Sequence, residues 1–131
     1  MATTHKIIIL IICLICSLIG FLIKIPVPLQ GHDKLLHISF YFLAAAFIHL
    51  LFPKKLLWIL LSLVLFGVLI EYLQQVVNKI THKKLHGRFD VEDVYADIKG
   101  LLLYSAVALL FFLCKRAYQY FSSSKNNPPD N

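Results

Sequence analysis

Apolar residues run almost unbroken through four stretches of the chain, residues 7–23, 35–52, 56–77 and 94–114, with short polar breaks between them. A helix crossing roughly 30 Å of hydrocarbon needs about 20 apolar residues, and somewhat shorter runs suffice where the bilayer thins or flanking side chains snorkel. Each stretch is therefore expected to be a transmembrane helix. Only Pro53, Lys54 and Lys55 separate the second from the third, so those two must run antiparallel as a hairpin. The expected fold is all-α: a polytopic membrane protein whose four transmembrane helices form a bundle over residues 1–121. Residues 122–131 contain only Ser, Lys, Asn, Pro and Asp. Such a composition buries too little apolar area to offset the entropy of ordering, and the segment is expected to be a disordered polar tail.

Composition strengthens this reading and removes others. Of 131 residues, 59% are hydrophobic and 15% charged, with a mean hydropathy of +0.75, outside the balance of a soluble globule. The first stretch follows Lys6 as in a signal peptide, but it lacks a small-x-small cleavage site and ends at Lys24, Pro26 and Pro28. It reads as a retained helix. Cys13 and Cys16 have CxxC spacing within an apolar run, where they read as small apolar helix residues rather than a redox pair. The net charge of +6 is not laid out as a basic stripe among exposed aromatics, so no nucleic-acid partner is expected. Basic loops flanking membrane helices account for it. Six cations (Lys6, Lys54, Lys55, Lys115, Arg116, Lys125) fall on one side and seven (Lys24, Lys34, Lys79, Lys83, Lys84, Arg88, Lys99) on the other. Several of the seven sit among acids, and discounting those places both termini in the cytoplasm.

The acidic residues are segregated. Asp33, Glu71, Asp90, Glu92, Asp93 and Asp97 all fall at the end formed by the first and third connections, leaving only Asp130 elsewhere; His32, His37, His82 and His86 join them there. In the second helix Asp33, His37 and Tyr41 recur every four residues, a polar stripe about 12 Å long on one face. In the third, Glu71 precedes Gln74 and Gln75 by three and four residues, about two turns before the helix ends. On the approach to the fourth, Asp90, Asp93, Asp97, Gly100 and Tyr104 share one face, and Gly100 would let a helix or a lipid approach closely. A charge deep in a membrane span costs roughly 2.5 to 3.5 kcal/mol on insertion scales, so such residues face the bundle interior and find partners there. Lys34 and Arg88 are the candidate partners.

Plainer roles compete. Asp90 and Asp93 also fit an N-cap and a capping-box acid. His82 and His86 have metal-ligand spacing, but the run THKKLHGR is strongly basic and solvated, so neither metal nor cofactor is expected. Lys83 and Lys84 would touch lipid headgroups, and Tyr95, Tyr118 and Tyr120 read as interfacial anchors.

Three ordered pieces resemble the VanZ-like family of membrane proteins, named for a teicoplanin-resistance protein of Gram-positive bacteria. DKLLHISFYFLAAA resembles the family's Asp-Lys-x-x-His followed by Tyr, GVLIEYLQQ its Glu-x-x-Gln helix end, and GRFDVEDVYADIKG its Arg followed by Asp-x-x-x-Asn-x-x-Gly. The resemblance covers residues 33–100. It carries the family pattern onto Asp33, Lys34, His37, Tyr41, Glu71, Gln74, Arg88, Asp93 and Gly100. Asp97 departs from it, standing where the family usually has Asn, and residues 78–86 are longer and more basic than usual.

The resemblance implies the bacterial plasma membrane and a link to glycopeptide susceptibility. Together with the polar end it gives a leading expectation: a cell-envelope protein that binds or modifies an anionic lipid or a lipid-linked peptidoglycan precursor, or meets the glycopeptide itself. Lys34 and Arg88 would contact phosphate or carboxylate, Gly100 would admit an acyl chain, and Asp33, Tyr41, Gln74, Gln75 and Asp97 would complete the binding set. Were there catalysis, Glu71 or His37 would be the general base and Asp93 its orienting partner, in hydrolysis or transfer of a phosphoryl ester. No Walker loop, HExxH or nucleophile motif accompanies them. The alternative is a structural, scaffold or small transport protein whose charged cluster only holds the bundle together.

Overall fold

The computed structural model describes residues 3–22, 32–81 and 90–126. They form four helices: α1 (Thr3–Leu22), α2 (Asp33–Leu51), α3 (Leu56–Thr81) and α4 (Val91–Asn126). All four are long and apolar enough to cross a membrane; each contains most or all of one apolar stretch, and α4 runs 12 residues past the end of its own. The chain is an all-α, multi-pass membrane protein. At 1.5 Å per residue the 19 residues of α2 span about 28 Å, close to the hydrocarbon thickness. The 36 residues of α4 reach about 54 Å and run beyond it.

Local chemistry sets the helix ends. Pro53 disfavours helical geometry at Phe52, and α2 stops at Leu51 with the Phe52 N–H still donating to the Ile48 carbonyl at 2.9 Å. The Lys55 N–H then closes the turn onto the Phe52 carbonyl at 3.1 Å. Asp90 caps α4, its Oδ1 accepting the Glu92 N–H at 2.8 Å. The composition of residues 122–131 does not end α4 at residue 121: the helix continues through Ser122 to Asn126. A helix already nucleated over 30 residues extends at one hydrogen bond per added residue.

α2 and α4 form the closest pair, α3 packs against both, and α1 lies mainly against α3. The core holds Tyr41 and Ala45 of α2, Ile59 and Leu63 of α3, and Leu101 of α4. Gly100 makes the α2–α4 approach possible, because a Cβ there would run into the backbone carbonyl of Ile38. Its space is thus taken by a helix and not by the acyl chain expected there. Leu43, Leu57, Trp58, Leu65, Leu102 and Phe111 point outward and are exposed, an apolar surface that only a bilayer would solvate.

α1 is held differently. None of its residues is buried, and polar contacts pin it near its two ends. Lys6 Nζ donates to the Leu51 carbonyl at 2.7 Å, and Gln74 Nε2 donates to the Phe21 carbonyl at 2.8 Å. Phe21 also packs edge-on against Phe40, with ring centroids 4.9 Å apart. These contacts place the N-terminus of α1 beside the α2–α3 turn and its C-terminus at the acidic end of the bundle.

Candidate ligand site at the acidic end of the bundle

Three helices deliver the polar side chains to one place. The four-residue spacing on α2 brings His37 and Tyr41 into the interior, where both are buried, while Asp33 at the helix start is half-buried. From α3, Glu71 is only 2% exposed, and from α4 Asp97 is likewise 2% exposed. His37 Nδ1 lies 2.7 Å from Asp97 Oδ1. The carboxylate oxygen accepts, so Nδ1–H donates, and in the neutral imidazole Nε2 then carries the lone pair. Asp97, not Asp93, is therefore the orienting partner of His37. Both acids lie on the same face of α4, but Asp97 is one turn deeper and level with His37.

Asp93 is released from the capping role as well. A capping-box acid would return to the Asp90 N–H, but that N–H donates to Glu71 Oε2 at 3.1 Å. An acid from α3 does the work expected of the N3 residue, and Asp93 Oδ1 is buried without a partner among the described residues. Glu71 Oε1 is also buried without a hydrogen-bond partner among the described residues, whereas the Tyr41 hydroxyl pairs with the Asp97 carboxylate. Ligand atoms of His37, Glu71 and Asp93 lie within 4.8 Å of one another. Gly67, one turn before Glu71, makes room for the group: a Cβ there would collide with Asp97 Oδ2 and lie 3.0 Å from the Tyr41 hydroxyl.

The remaining expected residues fall outside this centre. Lys34 is exposed and pairs with Glu92, so it sits at the surface of the site. Gln74 is committed to the Phe21 carbonyl, and Gln75 is half-buried a turn beyond Glu71. Gly100 serves helix packing. Arg88, His82 and His86 lie outside the described residues.

An apolar groove leads to the site. Three cavities of about 480, 280 and 300 Å³ follow α1 from its N-terminus to its C-terminus. Leu10, Leu14, Ile48, Leu63 and Phe66 line both the first and the second, and Ser17 and Phe40 line both the second and the third. The third is also lined by Gly20, Phe21, Leu36, His37 and Gln74. The groove thus ends on a residue of the polar cluster.

Sequence reasoning missed this groove, Gly67, and a second polar contact at the opposite end. There His49 Nε2 donates to the Pro53 carbonyl at 2.9 Å, and Nδ1 accepts from the Tyr104 hydroxyl at 2.7 Å. Gly67 was legible as a small residue four before Glu71, on the same helical face. The His49–Tyr104 pair joins residues 55 apart, which no periodicity reveals. The chain matches no protein-family model, no curated protein and no solved structure.

Proposed function

We propose that this chain is a VanZ-like protein of the bacterial plasma membrane, both termini cytoplasmic, that binds an anionic lipid or lipid-linked cell-wall precursor at its polar end. The observation carrying this reading is the apolar groove beneath α1 that ends at His37. A lipid is the ligand whose two halves fit: an acyl or prenyl chain along Leu10, Leu14 and Phe40, and a phosphate-bearing headgroup beside the polar cluster. Lys34 stands at the mouth to meet the headgroup, and Arg88 is assigned there by the family resemblance.

The unpartnered oxygens favour ligand handling over a purely structural role. A network whose task is to hold helices together gains by closing on itself, because each buried unpaired polar atom costs about 1–3 kcal/mol. Here Glu71 Oε1 and Asp93 Oδ1 are without partners among the described residues. Transport is less well supported, since Ala45, Leu63 and Leu101 fill the interior between the acidic end and the His49–Tyr104 pair.

Gly20 lines the groove, and a Cβ there meets nothing within 4 Å. Gly20→Phe is expected to fill the groove beside His37 without disturbing the bundle. Native mass spectra of the detergent-purified protein should show an anionic lipid on the wild type and its loss from Gly20→Phe, at an unchanged melting temperature. A wild type that carries no lipid and takes up neither phosphatidylglycerol nor a polyprenyl phosphate would sink the reading.

A further inference from the structure

We infer that His37, Glu71 and Asp93 form a binding site for one divalent transition-metal ion of the zinc or manganese class. The inference deepens the lipid-binding reading and rests on it for what the ion does, though not for the ion itself.

Three helices converge one imidazole and two carboxylates so that a ligand atom of each lies within 4.8 Å of the others. Two of the three residues are buried, and Glu71 Oε1 and Asp93 Oδ1 are left without partners among the described residues. Glu71 is bound through its other oxygen to the Asp90 N–H, which fixes the carboxylate while leaving Oε1 to the centre. His37 is held through Nδ1 by Asp97. That carboxylate–histidine pairing is how metal-binding imidazoles are oriented and made more basic, and it would leave Nε2 for the ion. Mixed imidazole and carboxylate donors suit zinc, iron or manganese, and three protein ligands leave a further coordination position open.

Charge leads to the same place. Among the described residues, Glu71, Asp93 and Asp97 bring three carboxylates into the end of a membrane bundle with a single imidazole, and Lys34 is turned to Glu92 at the surface. By itself such a cluster would repel a phosphate. With a divalent ion it becomes an anion-binding centre, and the open coordination position accepts a phosphate oxygen of the lipid headgroup lying at the end of the α1 groove.

The test uses the full chain in detergent, stripped with a chelator and titrated with zinc or manganese alone. One ion per chain is expected by native mass spectrometry, with affinity reduced at least about tenfold in both Glu71→Gln and Asp93→Asn. A wild type that binds neither ion overturns the inference, as does unchanged affinity in both variants. X-ray absorption of the zinc-loaded wild type needs no variant. One imidazole nitrogen with oxygen neighbours at about 2.0–2.2 Å supports the site, whereas two imidazoles or a sulfur ligand overturns it. An ion bound by a chain that takes up no anionic lipid removes the lipid reading alone. A lipid retained by a wild type that binds no ion removes the metal alone.

Discussion

Gly100→Ala is expected to destabilise the bundle by about 2–3 kcal/mol, and Gly20→Ala to leave it unchanged or slightly more stable. In a helix interior, alanine normally exceeds glycine by about 1 kcal/mol, because it restricts the unfolded chain. At Gly20 nothing opposes that gain, since no atom lies within 4 Å of the added methyl. At Gly100 the methyl meets the Ile38 carbonyl oxygen, with the carbonyl carbon at 3.1 Å and Cα at 3.2 Å. These are backbone atoms of a packed helix and cannot rotate aside, so α2 and α4 must separate and their shared contacts around Tyr41 and Leu101 loosen. Gly67→Ala should fall between, because its methyl meets the ends of side chains, Asp97 Oδ2 and the Tyr41 hydroxyl. Thermal unfolding in detergent, followed by far-UV circular dichroism, checks the order; equal melting temperatures for all three variants would contradict the α2–α4 crossing.

The second large effect is at Asp97. Interhelical hydrogen bonds within bilayers average only about 0.6 kcal/mol, so the bond to His37 by itself would predict little. Truncation does more than delete a bond. Asp97→Ala leaves the His37 Nδ1–H buried without an acceptor, and a stranded donor costs about 1–3 kcal/mol. A loss of about 2 kcal/mol is expected, together with a freed imidazole and weakened ligand binding. Asp97→Asn retains an oxygen at the same place and should keep the fold within about 1 kcal/mol of wild type. Asparagine is also the residue that the family resemblance implies at this position. If Asp97→Asn and Asp97→Ala lose the same stability, the pairing with His37 does not position the imidazole.

How much of this was legible in the chain depends on distance along it. The four spans, the buried stripe of His37 and Tyr41, and the interior position of Glu71 follow from periods of three and four residues within single helices. Gly100 was recognised as a point of close approach, although not what would fill it. What the sequence could not supply are the partnerships between helices. Asp97 and Asp93 share one face of α4, and only the depth at which α2 packs selects Asp97 for His37. Glu71 takes over the cap of a helix that begins 20 residues later. The metal-ligand spacing of His82 and His86 is a local pattern, whereas the group His37, Glu71 and Asp93 is assembled from three helices with no pair at ligand spacing. α1 is apolar on every side, so its sequence has no polar face to mark the groove beneath it.

The claim that the acidic end handles a ligand is tested most directly by the melting temperature of Asp93→Asn beside the wild type, both stripped of lipid and treated with a chelator, read together with the lipid that each retains as purified, before stripping. Asp93 Oδ1 is buried without a partner among the described residues. A binding site held ready at the expense of stability predicts that removing this charge raises the melting temperature by roughly a few degrees while abolishing retention of an anionic lipid. A structural network requires the opposite: a lower melting temperature for Asp93→Asn, with no lipid on either protein to lose.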